Sequence, residues 1–160
     1  MSDTPRTPAE LITAYLAGPS VLREALANLD DSALRARPIE GKLSSMEVAC
    51  HIVDSDQFMC DRLKRTIATD VPLLMGVESI AYTSALRYHE RDLELDLRLL
   101  EVQRQQTAED LRRLAPEAWQ RTCVHSERGM QTLLEVMVHT VDHLEDHVET
   151  ILEKRRALGL

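Results

Sequence analysis

Apolar residues recur along most of this chain at the three- and four-residue spacing of a single helix face, and polar caps mark where each run begins. Thr7, Pro8 and Glu10 supply an N-cap hydroxyl, a proline at the first helical position and a glutamate at the third, which is a capping box. The helix they open meets Gly18 and Pro19, where a missing N–H and a ring clash predict a kink or a split first helix. It resumes to about Asn28, and one short turn is expected between Asp30 and Ala36. Ser44 and Glu47 form a second capping box for a helix to about Thr69, with Val48, Ile52, Met59, Leu63 and Ile67 on its apolar side. Pro72 and Gly76 mark Asp70 to Ser79 as a loop, long enough to cross over and let the next helix run parallel to the last. That third long helix is predicted as one piece from Ile80 to Leu114, on the stripe Leu86, Leu93, Leu97, Leu100, Leu111 and Leu114. A polar connection follows from Arg121 to Gly129. Thr132 and Glu135 then open a last helix to about Leu158, ahead of Gly159.

No segment alternates convincingly with period two. Only 3% of residues are aromatic and 5 are glycine, with Leu, Ala, Val and Met filling the apolar positions, which favours helices over strands. The expected fold is all-α, a four-helix bundle. The 160 residues fit one domain spanning 1–160, large enough to bury about 70% of the surface of the unfolded chain, with residues 1–6 as a flexible N-terminus.

Charge narrows the partners. A net charge of −8 argues against duplex nucleic acid, which requires clustered Lys and Arg. The short basic runs (Arg62, Lys64, Arg65; Arg112, Arg113; Lys154, Arg155, Arg156) sit near helix ends and read as surface cations complementing the helix dipole. No stretch approaches the ~20 apolar residues of a membrane span, and the first residues lack the pattern of a signal peptide. Cys50, Cys60 and Cys123 fall in no close-paired spacing and read as structural or incidental thiols in a reducing compartment. The expectation is a cytoplasmic protein with a small-molecule partner, binding neither nucleic acid nor membrane.

The chemistry concentrates in histidines. His139, His143 and His147 stand four apart on the last predicted helix, so neighbouring pairs lie one above the other. Measured from the stripe Leu134, Met137, Val141, Leu144, Val148 and Leu152, His147 lies roughly 100° away, His143 roughly 140° and His139 roughly 180°. His143 and His147 therefore flank the core, and His139 is expected to point outward. On the second long helix His51 sits beside Val48, Ser55 and Phe58, where it could meet that pair. Three imidazoles with open positions are the usual layout of a catalytic metal centre. Asp54, one turn on, could orient an imidazole, as could Glu145 and Asp146. The alternative is a solvated ladder paired with Asp142, Glu145, Asp146 and Glu149. His89 and His125 read as surface or loop histidines, His125 also as a lid residue near the site. No P-loop, dinucleotide fingerprint or nucleophile elbow is present, and no general base stands out.

Two segments together resemble the DinB/YfiT-like superfamily of helical-bundle metalloenzymes. The first runs from Gly41 to Asp56 and matches the family's helix start, with its ligand histidine at His51 followed three residues later by Asp54. The second runs from Gly129 to Ile151. The family pattern there has two ligand histidines four apart and an aliphatic residue four further on; Ile151 in that place puts the ligands on His143 and His147. Leu43 replaces a frequent tryptophan and Asp56 a frequent glutamate. The resemblance covers nearly the whole chain from Thr7 and implies an up-down-down-up bundle holding zinc, nickel or a similar divalent ion on three histidines, often in a homodimer. Relatives include low-molecular-weight-thiol S-transferases that use bacillithiol or mycothiol, a mycothiol-dependent isomerase, and proteins described as hydrolases. It thus implies a metal-dependent hydrolase or thiol S-transferase, activating water or a thiol co-substrate. A non-catalytic metal-binding or stress-response bundle is the alternative, and a plain interaction bundle a third reading. Leu95, Leu99 and Val102 lie off the core stripe of the third helix and mark the expected dimer face.

Overall fold

Three of the four long helices begin at the capping boxes. The computed structural model describes residues 6–160, and helices α1 (Pro8–Leu26), α3 (Ser45–Ala68) and α6 (Leu133–Ala157) start behind Thr7, Ser44 and Thr132, each hydroxyl accepting from the N–H of the glutamate three residues on. The short turn becomes α2 (Asp31–Arg35), capped by Asp30. The expected flexible N-terminus falls mostly on residues 1–5, outside the described residues. Arg6 is held, its guanidinium pairing with Asp142.

Cross-helix contacts fix the directions. From α3 to α5 (Leu93–Arg112), Asp54 binds Arg91 just before α5, Asp56 binds Arg104 and Cys60 meets Thr107. Both numbers climb together, so the two helices are parallel. His51 meets His147 while Lys42 meets Glu153, so α3 and α6 are antiparallel. Arg6 pairs with Asp142 and Arg155 donates to the carbonyls of Ala25 and Ala27, so α1 and α6 run together. Tyr15 meets Arg104 and Arg23 meets Glu94, so α1 opposes α5. The result is the up-down-down-up four-helix bundle.

The first helix is neither split nor interrupted at Gly18 and Pro19. Proline removes the N–H that would bond the carbonyl four residues back, which belongs to Tyr15. Arg104 supplies the missing donor, its Nη1 reaching the Tyr15 carbonyl at 2.9 Å. Gly18 makes the room: a Cβ there would lie 2.2 Å from that same Nη1. The guanidinium also stacks 4.3 Å from the Tyr15 ring centroid and is neutralised by Asp56, at 2.6 and 2.9 Å. This buried polar layer divides the core. On one side lie Leu11, Leu63, Leu111, Trp119 and Met137; on the other Leu22, Val48, Leu97, Leu144 and Ile151.

The third long helix also departs from expectation. It is broken into α4 (Ser79–Ala85), a 3-10 turn at Tyr88–Glu90 and α5. Leu86 is exposed rather than core. The break follows from Tyr88, whose buried hydroxyl donates to Asp54 at 2.8 Å, with Arg87 at a positive φ of 52° ahead of it and Asp92 capping α5 behind. Three short strands also form where no alternation was read: β1 (Leu73–Leu74), β2 (Thr122–His125) and β3 (Gly129–Thr132), in the order β1-β2-β3. β1 pairs parallel with β2, and β2 with β3 as an antiparallel hairpin. Arg121, ahead of β2, ties the hairpin to the end of α3 by donating to the carbonyls of Thr66 and Thr69. The polar connection is therefore an ordered flap against the bundle. No described helix is long and apolar enough to cross a membrane.

Candidate metal centre

The buried face of α6 carries Leu133, Val136, Met137, Thr140, Val141, Leu144, Val148 and Ile151, which centres it roughly 60° nearer the histidines than the stripe read from sequence. His147 and His143 are thereby turned toward α3, where His51 projects from the antiparallel partner. One nitrogen from each of the three lies within 4.8 Å of the others. The Nε2 atoms of His51 and His147 are 3.2 Å apart, and the ring centroids of His143 lie 5.3 Å from His51 and 4.5 Å from His147.

Burial keeps these imidazoles uncharged. It lowers the pKa of all three, pushing His143 down to about 3 and His147 to about 4, with neighbouring rings adding to the effect at those two. Metal ligation requires neutral imidazole, so the donor chemistry fits a divalent ion. The spacing fits as well: two imidazole nitrogens on one tetrahedral ion, each about 2.05 Å from it, sit about 3.3 Å apart, against the 3.2 Å here. The ligand set read from the sequence is thus brought together in space.

Other residues are placed differently. Asp54 forms no hydrogen bond with an imidazole among the described residues; both its oxygens are taken by Tyr88 and Arg91. Its negative charge still opposes the lowering of the His51 pKa. The hydroxyl of Ser55 stands 3.5 Å from His51 Nε2. His139 does not point outward. It is half-buried on the wall of a cavity of about 140 Å³ that continues from His143 and is also lined by Ser55, Arg62, His125 and Arg128. His125 is buried on β2 and its Nδ1 accepts from the Glu127 N–H at 3.2 Å, so in the neutral ring the proton sits on Nε2. It is therefore not the surface or loop histidine expected, because the strand turns it inward onto the cavity wall; that position does lie near the site, as the lid reading supposed. His89 is half-buried and stands 3.0 Å from Glu47 in the first turn of α3, outside the cluster of three.

Arg62 and Arg128 were missed. Arg62 reads as part of a surface run, yet it is half-buried with Nη2 on the Met75 carbonyl at 2.8 Å. The signal was available: His51, Ser55, Phe58 and Arg62 fall within about 60° on one helix stripe. Arg128 lies at a hairpin tip that only the flap's folding brings over the cavity. The three cysteines are buried and free; burial raises the pKa of Cys50 and of Cys60, in keeping with structural thiols.

The family model described as the DinB superfamily matches residues 14–151. The chain belongs to the DinB superfamily. Among solved structures it is similar to YfiT from Bacillus subtilis, with a TM-score of 0.90 and 22% identity over 99% of this chain and 91% of that one. YfiT is described as a probable metal-dependent hydrolase with an unusual four-helix bundle topology. A more distant likeness is to a mycothiol-dependent maleylpyruvate isomerase, with a TM-score of 0.69 and 12% identity over 90% of this chain and 60% of that one. The DinB-like chain thus spans less than two thirds of the isomerase. Comparison with curated protein sequences gives no significant match.

Proposed function

We propose that this DinB-like protein is an enzyme that binds one divalent ion, zinc or nickel, through His51, His143 and His147 and uses it in hydrolysis of a small substrate. The observation that carries the reading is three half-buried imidazoles, their pKa values lowered by desolvation, converging beside a cavity that His143 also lines. What such an ion supplies is Lewis acidity, which makes a nucleophile available at neutral pH. The chain's own residues do the rest. The cluster's burial excludes competing protonation of the ligands. His139, held neutral by burial and by the positive charges of Arg128 and Arg62, is the wall residue able to take a proton from the nucleophile. The Nε2–H of His125 is fixed in place by the Glu127 backbone. The likeness to a protein described as a probable metal-dependent hydrolase supports the water reading.

A second reading, thiol S-transfer, draws support from the likeness to an enzyme that acts with mycothiol. The nucleophile would then be a low-molecular-weight thiol from solution, because all three cysteines of this chain are buried.

Elemental analysis of untagged protein tests the site: about one divalent ion per chain is expected, in the one-ion stoichiometry of a three-ligand centre. His51→Ala, His143→Ala and His147→Ala should each lose it, whereas His139→Ala should keep it. Retention of full stoichiometry in His143→Ala would overturn the assignment. Metal-loaded protein is then assayed on ester and amide substrates, and separately with a thiol and a haloarene. Failure in both panels would leave a metal-binding bundle without turnover.

A further inference from the structure

Two guanidinium groups face the cavity beside the histidine cluster, and among the described residues no carboxylate lies within ion-pair distance of either. Most arginines of this acidic chain are engaged: Arg23 with Glu94, Arg37 with Glu47, Arg91 with Asp54, Arg104 with Asp56, Arg156 with Glu149. Arg62 is different. One nitrogen donates to the Met75 carbonyl at 2.8 Å and another lies 3.6 Å from the Met59 sulfur. Both partners are neutral, so they aim the guanidinium without cancelling its charge, and part of its five-donor fork is left over. Arg128 comes from the opposite side, on the hairpin between β2 and β3. The cavity's one carboxylate, Glu127, lies over Gly76, where a Cβ would meet its Oε1 at 2.2 Å. Gly76 is itself pinned by its N–H to Ser126 Oγ at 2.8 Å. Two guanidinium groups against one carboxylate leave the fixed charge of the cavity lining positive, in a protein whose net charge is −8.

We propose that Arg62 and Arg128, with the Nε2–H of His125, form an oxyanion subsite that grips a carboxylate or phosphate group of a small substrate and directs its reacting bond at the histidine cluster. This rests on the reading of the cluster as a metal centre for its catalytic meaning, though not for the binding itself. Guanidinium is the side chain suited to such a group, because its fork matches the paired oxygens of carboxylate and phosphate. The cavity's size agrees: about 140 Å³ is below the ~300–1,000 Å³ of pockets for drug-sized ligands. A small acid fills it, or the charged end of a longer molecule. Because Arg128 rides on the hairpin and Arg62 on α3, an anion bridging them would also hold the flap against the bundle.

The test is calorimetric titration of inorganic phosphate, malonate and the uncharged malonamide into the protein as purified and after chelator treatment, with imidazole ¹H–¹⁵N spectra reporting on His125. Saturable binding of phosphate or malonate is expected in both forms, with a shift at His125 and no binding of malonamide; the tighter of the two anions identifies the group recognised. Arg62→Gln and Arg128→Gln should each weaken it by about tenfold or more, the loss of one charge-assisted interaction, while metal content stays unchanged. Arg62→Lys should restore part of the affinity. Arg128 is exposed, so its variant tests the subsite even if Arg62→Gln fails to fold. Absence of saturable anion binding, or equal affinity in Arg128→Gln, overturns the subsite. Anion binding by a protein that holds no metal as purified and takes up none when zinc or nickel is added overturns the metal reading and leaves the subsite standing.

Discussion

At the scale of single residues, desolvation sets the charge of the clustered histidines. His51, His143 and His147 lie with neutral rings between two helices, and the folded state resists protonating them. Each folded pKa lies below the ordinary value near 6.5, His143 at about 3 and His147 at about 4, so below that ordinary value the unfolded chain binds protons that the native cluster refuses. Stability rises with pH wherever the unfolded state binds more protons. The contribution of the neutral cluster is therefore complete above pH 6.5 and is lost progressively as the pH falls from there toward the folded values. Metal-free protein should show a urea midpoint that drops between pH 7 and pH 5, and His143→Leu should flatten the drop. An identical pH profile in that variant would contradict a buried neutral cluster.

At the scale of elements, the clasp among α1, α3 and α5 turns a helix-breaking pair into a socket. Replacing Arg104 with Met would leave Asp56 buried without its cation and the Tyr15 carbonyl without a donor, at a cost of about 3–5 kcal/mol. Adding Asp56→Leu should recover much of that loss, because the second unpaired charge goes with it. Gly18→Ala gives a sharper expectation. Helix propensity alone favours alanine by about 1 kcal/mol, but the new Cβ would strike Arg104 Nη1, and overpacking of this kind costs about 1–3 kcal/mol. Net destabilisation is expected in the wild-type background and stabilisation in Arg104→Met. Chemical denaturation of the four proteins reads the change of sign directly; alanine that stabilises both backgrounds would show that the socket has slack.

At the scale of the whole molecule, the face of α5 away from the bundle exposes Leu95, Leu99 and Val102, at 56%, 42% and 64%. We propose that two chains pair across this face as a C2 homodimer, the commonest closed arrangement. Light scattering should then give twice the chain mass of 18.2 kDa, and Leu99→Glu should give monomers that keep their metal, because the histidines lie on α3 and α6. A monomer for the unsubstituted protein at tens of micromolar would remove the proposal.

Local information in the chain was enough for much of this. Capping boxes set three helix starts, because they depend on residues within one turn of each other. Helical spacing set the pairing of His143 with His147 and brought His51 into range, because rotation per residue is nearly constant along a helix. The bundle's topology was readable from the family resemblance and the long crossover. What the sequence could not express were the contacts between distant elements. Pro19 breaks a helix unless another group satisfies the carbonyl it frees, and that group, Arg104, lies on a different helix. The segment before α5 bends because Tyr88 reaches Asp54, an interaction across 34 residues. The strands are only two to four residues long, too short for an alternation to register, and they form because the bundle gives their inward side chains Cys123 and His125 a surface to cover. His139, Arg62 and Arg128 acquire a shared cavity only when that hairpin folds over it. Spacing along the last helix singled out His143 and His147, and the helical position of His51 offered the third; the packing of separate elements determined what surrounds them.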